Sequence, residues 1–261
     1  MTVSYQTFEV NKADVTSHRF VTERLDPEAL APGQVLLEIA QFALTANNLT
    51  YAMSADMFGY WDFFPASEEA WGRIPVWGFA DVIASQCAGV DVGKRVYGYL
   101  PMSTHLVVEP GRVTEQSFMD GVAHRSARAP IYNQYVFTSA DPSYHRNREA
   151  LISLFRPLFS TSFLLDTFQA ENDFFGAEAV VLSSASSKTA MGTAQLLAKR
   201  EGIQVIGLTS ATNRDFVEGL GFYDQAVIYE DLESLDLPAV NFIDMAGNAN
   251  LVTRLHTHFG H

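Results

Sequence analysis

AVVLSSASSKTAMGTAQLLAK, residues 179–199, is the stretch that decides the fold. Ala179–Leu182 is short, apolar and valine-rich, which predicts a buried strand. Ser183–Thr189 is a tight polar turn. Beyond it, Met191, Ala194, Leu197 and Ala198 fall on one side at helical spacing. A strand, a turn of small residues and a helix together open a βαβ unit. The unpaired N–H groups and partial positive charge of such a helix N-terminus accommodate a phosphate. The second strand, Gln204–Leu208, follows where the unit requires it.

The alternation continues to the end of the chain. Strands are expected at Gln225–Ile228 and Val240–Ile243, and helices at Thr189–Glu201, Asn213–Leu220 and Asn248–Phe259. Such alternation implies a parallel sheet with helices on its faces. A doubly wound dinucleotide fold carries about six strands. This pattern supplies four before His261, so the sheet is expected to be C-terminally truncated or completed by another chain.

Upstream the pattern is different. Short strands are expected at Phe8–Val10, Arg19–Thr22, Val35–Phe42, Ile74–Ala84, after a turn at Gly93 within Val90–Gly98, and at Thr104–Val108, separated by Gly/Pro turns. That spacing predicts an all-β barrel or sandwich. Between them, Ser54–Arg73 holds Phe58, Tyr60, Trp61, Phe63, Phe64 and Trp71 without regular period, as in a packed loop or lid. Pro110–Phe155 is irregular, and its arginines (Arg112, Arg125, Arg128, Arg146, Arg148) read as solvated surface or as contacts for an anionic ligand. Helical spacing resumes over Arg156–Asn172.

The bulk composition excludes several functions. With 261 residues, 48% hydrophobic and 18% charged, the chain can build one large core or two ordinary ones. The net charge of −13 disfavours a nucleic-acid or anionic-membrane partner. No run of apolar residues is long enough to span a bilayer, and the N-terminus carries no apolar leader, so a cytoplasmic location is expected. The single cysteine, Cys87, forms no intramolecular disulfide and no multi-cysteine zinc site. The histidines lack metal-ligand spacing, so no metal is expected.

Taken together, PGQVLLEIAQFALTANN (Pro32–Asn48), IPVWGFADVIA (Ile74–Ala84), VDVGKRVYGYL (Val90–Leu100), LLAKREGIQVIGLTSATNRDFVEGLG (Leu196–Gly221) and NFIDMAGN (Asn241–Asn248) resemble the medium-chain dehydrogenase/reductase superfamily. The likeness is to its zinc-free, quinone oxidoreductase-like branch, and to an uncharacterised bacterial subgroup within it. It implies an α/β chain: a GroES-like β-barrel over residues 1–125, an irregular connection or insertion over 126–155, and a partial Rossmann domain over 156–261. It also implies NADP(H), bound between the two domains, and a small carbonyl substrate.

The superfamily's glycine-rich turn is absent. Ser186, Ser187, Lys188 and Thr189 stand where glycines would let the backbone approach a pyrophosphate. Their hydroxyls and ammonium are themselves phosphate ligands. The other reading is a degenerate turn in which Ser and Thr merely cap the helix. At the end of the second strand, Thr209, Ser210, Asn213 and Arg214 offer donors where an NAD enzyme places an acid, which suits a 2′-phosphate. The alternative there is an ordinary helix start. Ser187-Lys188-Thr189 and Asp244 also echo a P-loop, but Leu182 and Ser187 occupy its glycine positions.

The resemblance places Asn48 and Tyr51 toward the nicotinamide and substrate, with Tyr51 as proton donor; the other reading of the pair is a capped turn and a core tyrosine, and Tyr60 of the aromatic stretch is an alternative donor. It places Thr161 toward the cofactor. The aromatic stretch Phe58–Phe64 serves equally as substrate pocket, lid or dimer patch, which leaves a homo-oligomer open. The expected function is NADPH-dependent hydride transfer to a quinone or enone-like carbonyl. The alternative is a non-catalytic nucleotide-binding or scaffold protein that keeps the fold.

Overall fold

The computed structural model describes residues 2–260. It divides into two compact units, Met1–Leu154 and Phe155–His261.

The first unit is antiparallel. Its strands are β1 (Val3–Asn11), β2 (His18–Leu25), β3 (Val35–Ala43), β4 (Trp71–Gly72), β5 (Pro75–Ser85), β6 (Arg95–Pro101), β7 (His105–Val108), β8 (Pro110–Gly111), β9 (Ser117–Asp120) and β10 (Gln134–Phe137). They form a sheet of order β2-β1-β4 and a larger one of order β7-β3-β5-β6-β10-β9-β8. A bridge from Thr7 to Ser103 ties the two. The core is built from inward residues of several strands, among them Val35, Leu37, Val76, Val96, Leu100 and Phe118. Gly78 and Gly98 face each other across β5 and β6. The backbone of Gln41 and Phe42 lies so close that a Cβ on Gly78 would sit 2.2 Å from the Gln41 carbonyl oxygen.

Two short helices, α1 (Ala46–Met53) and α2 (Ala55–Phe58), follow β3. The aromatic stretch after them is packed: Trp61, Phe63 and Phe64 are buried, while Met57 and Phe58 stay exposed. Residues 126–155, expected to be an irregular connection, contain β10 and the start of a long helix, α3 (Glu149–Glu171). Pro157 lies inside α3, which begins seven residues before the expected start at Arg156. Glu149 anchors its first turn, receiving hydrogen bonds from Arg95 Nε (2.6 Å), Gln41 Nε2 (2.5 Å) and Tyr144 Oη (2.6 Å).

The second unit is parallel. β11 (Ala179–Leu182), α4 (Lys188–Leu197), β12 (Gln204–Thr209), α5 (Arg214–Gly219), β13 (Gln225–Ile228), β14 (Val240–Ile243) and α6 (Ala249–Phe259) give a sheet of order β13-β12-β11-β14. β11 is fully buried, which explains its unbroken apolar run. Ala179 and Val181 face α6 through Leu251 and Leu255. Val180 and Leu182 face α4 through Ala190, Ala194 and Leu197. Burying each of these Val and Leu side chains contributes roughly 1.5–3 kcal/mol. The chain steps outward from β11 to β12 and β13, then returns to the other side of β11 as β14. That reversal makes the C-terminal ends of β11 and β14 a topological switch point. No helix of the described residues is long and apolar enough to cross a membrane.

Candidate functional site

The switch point is bridged by side chains. Ser183, the first residue after β11, donates from Oγ to Asp244 Oδ1 at 2.6 Å, and accepts from the amides of Met245 (2.7 Å) and Ala246 (3.0 Å). The next residue, Ser184, has φ of 51°, a left-handed conformation that favours glycine. Its amide donates to Tyr229 Oη at 3.0 Å. The carbonyl of Ala185 accepts from Tyr223 Oη at 2.8 Å. Gly207 makes room for this turn, since a Cβ there would lie 2.8 Å from the Ala185 Cβ.

At the helix entrance, Ser187 is the N-cap of α4, and its hydroxyl accepts from the Ala190 amide at 3.3 Å. The amides of Lys188 and Thr189 donate to no acceptor among the described residues. The Lys188 side chain is exposed. Of the expected cofactor residues, Ser186 and Asn213 come together, with Asn213 Nδ2 donating to Ser186 Oγ at 3.2 Å. That bond joins the turn after β11 to the turn after β12. Thr209 is buried, and Ser210 starts the short turn of helix that leads to α5. Arg214 pairs with Glu218 at 2.9 Å on the exposed face of α5. Thr161 is exposed and donates to the Pro157 carbonyl of its own helix. Its neighbour Ser162 contacts α4 instead, donating to the Thr189 carbonyl at 2.8 Å.

In the first unit, Asn48 is buried and its amide is engaged. Oδ1 accepts from the Thr45 amide at 2.7 Å, and Nδ2 donates to the Pro75 carbonyl at 2.9 Å. Thr45 and Asn48 thereby form a capping box at the start of α1. Tyr51, one turn on, is buried in an aromatic cluster with Phe63, Phe64 and Tyr99. Its ring lies 4.6 Å from that of Tyr60. Burial, reinforced by the neighbouring Tyr132, raises the Tyr51 phenol above its ordinary value, and Tyr60 is raised for the same reasons. Both hydroxyls therefore stay protonated at neutral pH and can act only as donors or neutral acceptors.

Several of these features escaped the sequence reading. Ser184, Tyr229 and Tyr223 carry no local signal; only the fold brings the two tyrosines to the turn. The arginine reading needs correction at one position. Arg125 is not solvated surface but 1% exposed, because Asp120 and Tyr135 accept hydrogen bonds from its Nη2 in the barrel wall.

No curated protein matches the chain by sequence. The family described as "Protein of unknown function (DUF2855)" matches residues 42–261, and the chain belongs to it. Among solved structures, the CurF ER cyclopropanase from the curacin A biosynthetic pathway is similar over 96% of this chain and 70% of that one, with TM-score 0.58 and 14% identity. The quinone oxidoreductase from Coxiella burnetii is similar over 94% and 70%, with TM-score 0.51 and 14% identity. An Etr1p mutant in complex with NADP and crotonyl-CoA is similar over 89% and 62%, with TM-score 0.52 and 13% identity. The chain thus spans between 62% and 70% of these three structures. At such identities the shared property is the fold, a GroES-like antiparallel domain followed by a Rossmann-like parallel one.

Proposed function

We propose that this member of the DUF2855 family is an NADPH-dependent reductase of a small quinone or enone-like carbonyl, on the zinc-free side of the medium-chain dehydrogenase/reductase superfamily. The observation that carries this reading is the strand–turn–helix at the switch point, where the Lys188 and Thr189 amides have no acceptor among the described residues and Lys188 itself is exposed. That donor set fits a phosphate. Ser186 and Asn213 would hold the turn against the end of β12, and Ser210 and Arg214 would meet a 2′-phosphate.

A bound nicotinamide supplies the hydride. The chain supplies position and a proton. Asn48 fixes the start of α1 and so the place of Tyr51. Tyr60, half-buried where Tyr51 is buried, is the phenol we assign as donor to a developing oxyanion. The Phe63 ring stacks on that of Tyr60, with centroids 6.1 Å apart.

One observation favours a second reading, a non-catalytic nucleotide-binding or scaffold protein. The Ser184 amide is already occupied by Tyr229, which withdraws one donor from the cradle. Titration of the chain with NADPH and with NADH, followed by nicotinamide fluorescence, separates the two. The reductase reading expects NADPH to bind at least tenfold tighter than NADH, and a Lys188→Ala, Arg214→Ala double variant to lose that preference. Absence of NADPH binding by folded wild type refutes it. Binding without turnover of any quinone or enone supports the scaffold.

A further inference from the structure

Arg125 is the largest fully buried side chain of the first unit, and its N–H donors are only partly matched. Nη2 donates to Asp120 and, at 3.2 Å, to Tyr135 Oη. Nε and Nη1 are shielded from water and have no acceptor among the described residues. Buried N–H groups without acceptors are costly and rare, and those that persist in native structures call for an explanation such as a bound ion or water. Asp120 does not supply more, since its Oδ1 already accepts from the amides of Glu109 (3.0 Å) and Val122 (3.1 Å).

The same arginine lines a half-open cleft of about 230 Å³ in this unit. The walls are largely apolar, with Leu25, Leu36, Phe63, Phe64 and Leu106; their polar members include Thr7 and Ser103, bonded to each other, His124, bonded to the Phe63 carbonyl, and Asp120, whose charge is taken up by Arg125. Apolar walls with few convergent polar groups are the usual form of a small-molecule site. The other cationic side chain of the lining, Arg73, is engaged by Glu9 at 2.9 Å. Arg125 is therefore the cation of the lining that keeps unmatched donors. Phe64 covers it, with the ring centroid 4.8 Å from the guanidinium carbon, and is itself part of the cleft wall.

We propose that this cleft is a binding site for a small, largely apolar carboxylate, whose oxygens accept from Arg125 once the Phe64 ring turns aside. A carboxylate is the planar acceptor that a guanidinium fork matches. The apolar walls take the remainder of the molecule. The site lies wholly within the first unit and does not depend on nucleotide binding.

The test uses the full chain without nucleotide. Benzoate and hexanoate are titrated against benzamide, hexanol and inorganic phosphate by calorimetry, and the arginine Nε–H region is followed by ¹⁵N NMR. The carboxylates are expected to bind at least tenfold tighter than the matched neutral compounds and to shift the Arg125 Nε–H resonance. Val122→Trp, which fills the cleft beside Asp120, and Arg125→Met are each expected to lower affinity at least tenfold. If Arg125→Met does not fold, Val122→Trp and the wild-type resonance decide. Equal binding of acid and amide, phosphate binding as tight as benzoate, or carboxylate binding that survives Val122→Trp each overturns the proposal.

Discussion

The hydroxyl of Tyr229 accepts a 3.0 Å hydrogen bond from the amide of Ser184, so a side chain from beyond β13 occupies a donor of the turn that follows β11. Ser184 is the turn's left-handed residue. On the proposed function, a nucleotide phosphate at this turn would compete with the Tyr229 hydroxyl for one N–H. Tyr229→Phe leaves that amide unmatched and is expected to lower stability by about 1 kcal/mol in urea unfolding. The same variant is expected to tighten NADPH binding severalfold by fluorescence titration. Unchanged affinity would mean that the phosphate does not use this amide.

Glu149 gives a pH signature. Burial pushes its carboxyl up, but hydrogen bonds from Arg95 and Tyr144 outweigh burial and hold it below the ordinary value of 4.5. The fold therefore stabilises the ionised form. That contribution is complete above pH 4.5 and is lost as pH falls through the depressed value. Removing one partner of a buried ion pair costs about 3–5 kcal/mol. Glu149→Gln keeps part of the hydrogen bonding and is expected to cost about 2 kcal/mol at pH 7 and to flatten the acid limb of a stability–pH curve.

Gly78 is a steric prediction. A Cβ there would meet the Gln41 carbonyl oxygen at 2.2 Å and the Phe42 Cα at 2.8 Å, both backbone of β3. No side-chain rotation relieves that contact. Gly78→Ala is expected to cost about 3 kcal/mol or more by splaying β3 from β5. Thermal unfolding monitored by near-UV dichroism of the barrel aromatics would show it.

Tyr51 and Tyr60 divide by role. If Tyr60 donates the proton, Tyr60→Phe lowers kcat about 10²-fold, within the range of general acid catalysis, with little change in the Kd of NADPH. Tyr51→Phe, at a buried packing position, is expected to leave kcat within threefold. The reverse ranking would assign the proton to Tyr51.

The second unit was legible because its signals are local. An apolar run marks each parallel strand, helical spacing marks α4, and small polar residues mark the turn between them. The first unit was legible as many short strands, but β9 and β10 were not, since each has four residues inside a stretch rich in turns. The start of α3 was misplaced for a physical reason. Pro157 argues locally against a helix before it, whereas the tertiary bonds of Glu149 carry the helix through it. Arg125 shows the same limit. Five arginines in that segment look alike in sequence, and only the pairing of β9 with β10 brings Asp120 and Tyr135 to one of them. At the candidate site, the residue types of the turn were readable, but the competition from Tyr229 was not, because it comes from 45 residues away.

Cys87 lies between β5 and β6, half-buried, and packs against the edge of the first unit's core. It is the chain's single thiol. Its reaction with a thiol-specific reagent therefore reports on the first unit while the second stays silent. A label placed there marks one half of the chain without touching the other.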